Sequence, residues 1–389
     1  MVDITAIQNL KIFEEDYSNT TDLNHGIHSY PAKFPPQIPG KLLDKFAKDN
    51  YVVLDPFCGS GTTLVEASLR NLDSVGNDIN PIALLISTVK TTKYFDTDFE
   101  ELEKIIYDLK DDYMNNKNNL KSTIDFPNKD HWFQKNVQKE IELILKHINL
   151  CSNEKYRNLL KVVLSEIIVT VSNQESDTRY AAIDKNIPDG KTIELFEKRY
   201  FAIKDKILSF SQMVKDFEYE TKIISNDARN LIDIRSESID IIITSPPYAN
   251  TYDYYLYHKH RMNWLGYNFK ETQNIEIGSR NEYSSKKQKP EKWKHDLMLV
   301  LQEMYRVMKK DRLCFIIIGD SVINKEHIKI NDVIREIATK IGFEYLNEES
   351  VPLSKNSRKF NKKFGTDQTK LEHLISLYKP KLTIIMKAH

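Results

Sequence analysis

The most restrictive feature of the chain is the run Val52-Val53-Leu54-Asp55-Pro56-Phe57-Cys58-Gly59-Ser60-Gly61-Thr62-Thr63. An apolar β-branched stretch, a glycine loop and a helix start follow one another without a spacer, so a buried strand must turn tightly into a helix. Further β-branched runs recur at Ser74-Val75-Gly76, Ile223-Ile224, Ile239 with Ile241 to Ile243, and Phe315 to Ile318. Helical patterns such as Thr62 to Asn71 and Leu297 to Met308 lie between and after them. Strands alternating with helices predict an α/β fold on an open, doubly wound sheet. From about Thr91 to Lys215 helical periodicity takes over, with Phe99, Leu102, Ile105, Ile106, Leu109 and Tyr113 along one face. Tyr156 to Val171 is apolar on nearly every side, as in the central helix of a small bundle. A helical insertion over 91–215 is therefore expected to divide a first core segment, 1–90, from a second, 216–389.

With 389 residues, 40% of them hydrophobic and 29% charged, the chain is neither collagen-like nor wholly disordered. Its 56 basic and 56 acidic side chains cancel, so a polyanion partner must be met by local charge. Residues 91–215 carry 20 basic and 21 acidic side chains, whereas 350–389 carry nine and two. The polyanion-facing surface is expected to draw on the C-terminal third. Cys58, Cys151 and Cys314 lie far apart with no C-x-x-C pair, which argues against a disulfide framework and a structural zinc site. A reducing, cytoplasmic compartment follows. Met1 to Asp16 lacks a basic region followed by an apolar stretch, and Ser165 and Glu166 interrupt the most apolar segment, so neither a signal peptide nor a membrane span is expected.

Gly59 and Gly61 let the backbone approach a ligand closely, and Asp78 stands nineteen residues past Gly59 at the end of the next strand. That is near the distance at which an acid accepts hydrogen bonds from a ribose. A dinucleotide site would want a third glycine where Leu64 stands, so a pyrophosphate is disfavoured. Asp55 at the strand tip would repel phosphate and suits a cation, which favours the sulfonium of S-adenosylmethionine. Asp227, in the turn after Ile223-Ile224, is a candidate for the amine edge of the ligand's adenine.

A second site follows the strand Ile239 to Ile243, where Thr244-Ser245-Pro246-Pro247-Tyr248 stands at its carboxyl end. Ligands of open α/β sheets bind outside that end. Two prolines stiffen the loop, so the Ser245 hydroxyl, the Pro246 carbonyl and the Tyr248 ring are held in place. Two acceptors and a ring match an exocyclic amine: the acceptors bind its hydrogens and the ring stacks on the base.

Together these residues resemble the family of amino-methyltransferases that methylate exocyclic amines of DNA bases with S-adenosylmethionine. Asp55 to Thr63 resembles its cofactor loop and Thr244 to Tyr248 its catalytic motif, with Ser245, Pro246, Pro247 and Tyr248 as the expected catalytic residues. His28-Ser29-Tyr30-Pro31-Ala32-Lys33-Phe34-Pro35 is similar to the segment that closes over the methionine part of the cofactor. The resemblance covers 28–90 and 222 to about 325. It implies cofactor contacts from Lys33, Phe34, Pro35, Asp55, Phe57, Gly59, Gly61, Thr62, Asp78 and Asp227, with no metal. It also implies a Rossmann-like, mostly parallel sheet with an antiparallel strand near the C-terminus, and a double-stranded DNA substrate whose target base is flipped out. A serine before Pro-Pro-Tyr is more usual for cytosine-N4 enzymes, with adenine-N6 as the alternative and a subunit without catalysis as the second alternative. A cognate restriction endonuclease is the partner such a modification enzyme would have.

For DNA contact, Asn250, Tyr252, Lys259 and Arg261 mix rings with basic heads beyond the catalytic loop, and Ser284 to Lys294 and Lys355 to Lys363 are basic runs. Lys359, Lys362 and Lys363 are the expected phosphate contacts. The insertion, including Gln174 to Asp189 with Arg179 and Tyr180, is expected to cap the cleft.

Overall fold

A computed structural model of the chain describes residues 4–13, 17, 19–177, 179–286, 288–323, 326–352 and 370–381. Seven strands form the main sheet: β1 (Val52–Asp55), β2 (Asp73–Asn77), β3 (Thr221–Ile224), β4 (Ile239–Thr244), β5 (Met308–Gly319), β6 (Glu344–Pro352) and β7 (Leu371–Lys379). Their spatial order is β6-β7-β5-β4-β1-β2-β3. Every pairing from β3 across to β5 is parallel, and β7 runs antiparallel to both its neighbours. The expected mostly parallel sheet with an antiparallel strand near the C-terminus is borne out.

The apolar runs are continuous because both faces of the sheet are covered. Successive side chains on a strand point to opposite faces, and here they enter different cores. Ile239 and Ile242 on β4 and Cys314, Ile316 and Ile318 on β5 join one core. Ile241, Ile243, Leu313, Phe315 and Ile317 join the other. Helix α1 (Gln37–Phe46) contributes Ile38, Leu42 and Leu43 to that second core. The loop after β1 enters α2 (Thr62–Ser68), and β2 is followed by α3 (Pro81–Thr91).

The insertion folds as α4 (Asp96–Asn116), α5 (Lys135–Leu150), α6 (Glu154–Ile167) and α7 (Lys191–Met213), with a short hairpin, Gln174–Ser176 and Arg179–Ala182, before the last helix. Its core is shared: Ile82, Ile86 and Val89 from α3, with Met262 and Trp264 from α8 (Tyr254–Leu265), pack with Leu102, Ile144, Leu160 and Phe196. The helix α9 (Phe269–Ile275) follows α8. On the other face α10 (Pro290–Val307) and α11 (Ile330–Ile341) supply Trp293, Leu301, Met304 and Ile334 to the first core. Among the described residues no helix is long and apolar enough to cross a membrane.

The chain leaves β1 toward β2 and β3 on one side, then returns to β4 on the other side of β1. The connections diverge at the carboxyl ends of β1 and β4, and a crevice opens there.

Candidate active site

Asp55, last on β1, and Thr244, last on β4, meet in this crevice: the Thr244 hydroxyl donates to Asp55 Oδ1 at 2.7 Å. The two sequence stretches read as separate sites therefore share one place. A cleft opens there, with about 840 Å³ of space between its walls when the open mouth is included. Tyr30 to Phe34, Pro56 to Ser60, Thr62, Asn77 to Asn80, Asp227, Ser245 and Pro247 all line it.

The glycine loop owes its shape to two left-handed residues, Gly59 at φ +49° and Gly61 at φ +80°, which a side chain would strain. A methyl group on Gly59 would also stand 3.2 Å from the Tyr30 ring. The Gly59 amide donates to Asp78 Oδ2 at 2.9 Å, while Asp78 Oδ1 accepts from the Asn80 amide, tying the loop to the start of α3. Where a dinucleotide fold has its third glycine, Leu64 is fully buried, and the complementary glycine is on the strand: a methyl on Gly76 would collide with Leu64. Asn77, 1% exposed, donates to the carbonyls of Pro56 and Asn226 and accepts from the Asn226 amide, so one side chain joins the ends of β1, β2 and β3.

The cofactor candidates divide by position. Lys33, Phe34, Phe57, Gly59, Thr62, Asp78 and Asp227 line the cleft. Pro35 does not; its carbonyl accepts from the Ile38 amide and starts α1. Gly61 precedes α2, shaping the loop without lining the cleft. The Lys33 ammonium donates to the His25 carbonyl at 3.1 Å, and burial lowers its pKa. Both oxygens of Asp227 accept from Arg229, which also bonds Asp296, so the Asp227 carboxylate is held rigidly at the rim.

Asp55 is 1% exposed, and among the described residues its Oδ2 has no hydrogen-bond partner. Burial pushes its pKa up to about 6, against the hydrogen bonds from Thr244, Thr63 and the Phe57 amide. Burial also raises Asp78 to about 6. A third acid was not foreseen. Glu276, just after α9, lines the cleft with Thr272, Ile275 and Ile277, and both its oxygens cap α8 through the Tyr254 and Tyr255 amides. Burial pushes it to about 8. Asp55 itself is not among the residues that line the cleft, but its unpaired buried oxygen, behind a cleft lined by Asp78 and Glu276, makes this an acidic site that fits a cationic ligand such as a sulfonium.

In the loop after β4, Ser245 and Pro247 line the cleft, whereas Pro246, which is buried, and Tyr248, which is half-buried, are not among its lining residues. Tyr254, on the first turn of α8, is the second tyrosine after Tyr30 to line the cleft, and no motif signalled it.

The expected DNA-facing residues fare unequally. Arg261 is a correction. It is 1% exposed, its guanidinium bonds the Ser165 and Tyr257 carbonyls and pairs with Asp177, so its charge serves the interior. Basic residues on a helix normally face solvent, and periodicity alone gave no sign that the insertion covers this side of α8. Asn250, at φ +56°, donates to the Val322 carbonyl at 2.7 Å and accepts from Ser284. Tyr252 lies 5.6 Å from the Tyr254 ring, and the Lys259 ammonium sits 4.8 Å over Phe269. Lys359, Lys362 and Lys363 lie outside the described residues. Among the described residues none of the insertion lines the cleft: Tyr180 stacks on His260 at 5.3 Å, and the insertion instead backs the segment before α1. There Glu166 accepts from the Ser29 amide and from Arg199, and Ser165 bonds the His28 ring.

Strand order, the glycine loop and a cleft at the switch point define a Rossmann-like fold with a ligand site. The family model N6_N4_Mtase, described as DNA methylase, matches residues 7–89 and 239–381, more than half of the chain, and the chain belongs to that family. The unmatched stretch between them contains the insertion and Asp227. The chain is 28% identical over 249 residues to the type II methyltransferase M.MvaI of Kocuria varians, covering 60% of this chain and 55% of that protein. It is 24% identical over 422 residues to M.MjaII of Methanocaldococcus jannaschii, covering 85% and 76%. To M.BsoBI of Geobacillus stearothermophilus it is 26% identical over 340 residues, covering 78% and 64%. The match to M.MvaI thus spans only about half the length of that relative. A solved S-adenosylmethionine-dependent methyltransferase of Methanosarcina mazei aligns over 91% of this chain and 99% of its own at 9% identity, with a TM-score of 0.35. TTHA0409 of Thermus thermophilus, complexed with S-adenosyl-L-methionine, aligns over 42% and 54% at 18% identity, with a TM-score of 0.25.

Proposed function

We propose that the chain is a DNA methyltransferase that transfers a methyl group from S-adenosylmethionine to the exocyclic N4 amine of cytosine in duplex DNA. The observation that carries this reading is the meeting of the two loops: Thr244 bonds Asp55, and Ser245 and Pro247 line the same cleft as Gly59 and Asp78. When bound, S-adenosylmethionine supplies a methyl group already activated on a sulfonium. Asp55 would face that cation's charge, Asp78 the ribose hydroxyls and Asp227 the adenine amine. Ser245 and the Pro246 carbonyl accept the two amine hydrogens, which biases the nitrogen lone pair toward the methyl carbon, and the work of these residues is positioning. The nitrogen keeps one proton fewer than it began with after transfer, and that proton passes to solvent. Tyr248 stacks on the flipped base. The serine of the loop supports cytosine over adenine, and the type II names of the relatives support a modification system with a cognate endonuclease.

The test is methylation of mixed-sequence DNA in vitro, followed by nucleoside mass spectrometry. N4-methylcytosine is expected; N6-methyladenine would replace the cytosine assignment, and no labelled base would remove the reading altogether. The variant S245A/P246A should lose activity. Unchanged label incorporation would refute the role given to this loop.

A further inference from the structure

Gly319 on β5 and Glu372 on β7 stand directly opposite each other across the strand pair. Between them they make a seat for Tyr248. A methyl group on Gly319 would stand 2.7 Å from ring carbon Cε2, 3.1 Å from Cδ2 and 3.4 Å from Cζ, so the ring lies over that backbone and a side chain there would displace it. The phenol donates to Glu372 Oε1 at 2.8 Å. Burial raises the pKa of the phenol further above its ordinary value, so the ring keeps the proton it donates.

The seat itself is fixed. Asp320, next after Gly319, accepts from the Leu371 amide at 3.2 Å and bonds the His373 ring at 3.1 Å, and the Asp320 amide donates to the Leu371 carbonyl at 2.8 Å. The residues on both sides of Glu372 are thereby locked to the end of β5. His373 is held a second time by Ser350 of β6 at 2.8 Å. A carboxylate on such a support has little freedom to follow the ring, so the ring follows the carboxylate. A tyrosine in a loop otherwise pinned by two prolines gains its last fixed torsion from this bond.

We infer that Glu372 is a positioning residue for methyl transfer: acting through the Tyr248 hydroxyl, it sets the plane in which the aromatic ring meets the target base. The inference rests on the reading of Ser245 to Tyr248 as the amine-binding loop. Glu372 acts through another side chain, so its removal should be felt where Tyr248 is felt and nowhere else.

Steady-state methylation by the full chain tests this with E372L, E372Q, Y248F and the double variant Y248F/E372L, alongside S-adenosylmethionine affinity and thermal stability. A hydrogen bond to a charged group sets the scale, so E372L should lower kcat/KM for DNA about tenfold to a hundredfold while cofactor affinity stays within about twofold. E372Q, whose amide oxygen still accepts, should recover most of the rate. The double variant should be no worse than the weaker single one. Additive losses, an equal loss of cofactor affinity, or E372L at the wild-type rate would each overturn the inference. If E372L does not fold, Y248F breaks the same bond from the other side, and Y248F at the wild-type rate overturns it equally. Wild-type protein that methylates no DNA would instead bring down the reading of the function, and the inference with it.

Discussion

Asp78 and Glu276 line the cleft and Asp55 is buried at the end of β1 behind it, and burial raises the two aspartates to about 6 and the glutamate to about 8. Each is held above its ordinary value, so the empty fold is favoured by the protonated forms at low pH and loses that contribution as pH rises through those values. A bound sulfonium reverses the preference and favours the ionised forms. Binding then expels protons, and affinity for S-adenosylmethionine should rise with pH through about 6 and level off beyond about 8. Titration calorimetry in buffers of different ionisation heat would register the released protons; a dissociation constant flat across that window would contradict it. Glu276 carries no motif. Its place at the cleft depends on the turn that brings α9 back against α8, whereas Asp55 and Asp78 are legible because a strand and a glycine loop fix both their position and their surroundings.

At the scale of elements, α7 shows how a buried charge can be used for structure alone. The Glu140 carboxylate, 2% exposed, accepts from the Gly190 amide at 2.6 Å and the Thr192 amide at 3.0 Å, closing the N-terminus of a 23-residue helix. E140A would leave those amides without acceptors and should cost about 1–3 kcal/mol, read as a lower midpoint in urea denaturation. A midpoint equal to wild type would show that water replaces the carboxylate. The strands of the sheet were legible because a strand buried on both faces carries a continuous apolar run, as Ile241 to Ile243 on β4 and Leu313 to Ile318 on β5 do. The hairpin Gln174–Ser176 with Arg179–Ala182 was not, since three- and four-residue strands are too short to show a period.

For the whole molecule, the insertion is continuous with the core through α3 and α8. Removing it would expose Ile82, Ile86, Val89, Met262 and Trp264 together, and Arg261 would lose Asp177 and the Ser165 carbonyl. Thermal or urea unfolding should therefore follow one transition, with far-ultraviolet dichroism and tryptophan fluorescence coincident, Trp132 lying in the insertion and Trp293 against the sheet. Two separated transitions would show that the insertion stands by itself. Taken alone, the order of residues determined the α/β class, the glycine loop, the acid after β2 and the proline loop after β4. Those features are local: strand burial, left-handed glycines and proline torsions act over a few neighbouring residues. Only the tertiary structure decided that Arg261 faces inward, that Glu276 reaches the cleft, and that Glu372 from the last strand meets Tyr248. Such contacts join positions up to 124 apart, and they follow from which strands lie side by side, a property of the packed sheet that no short stretch of sequence carries.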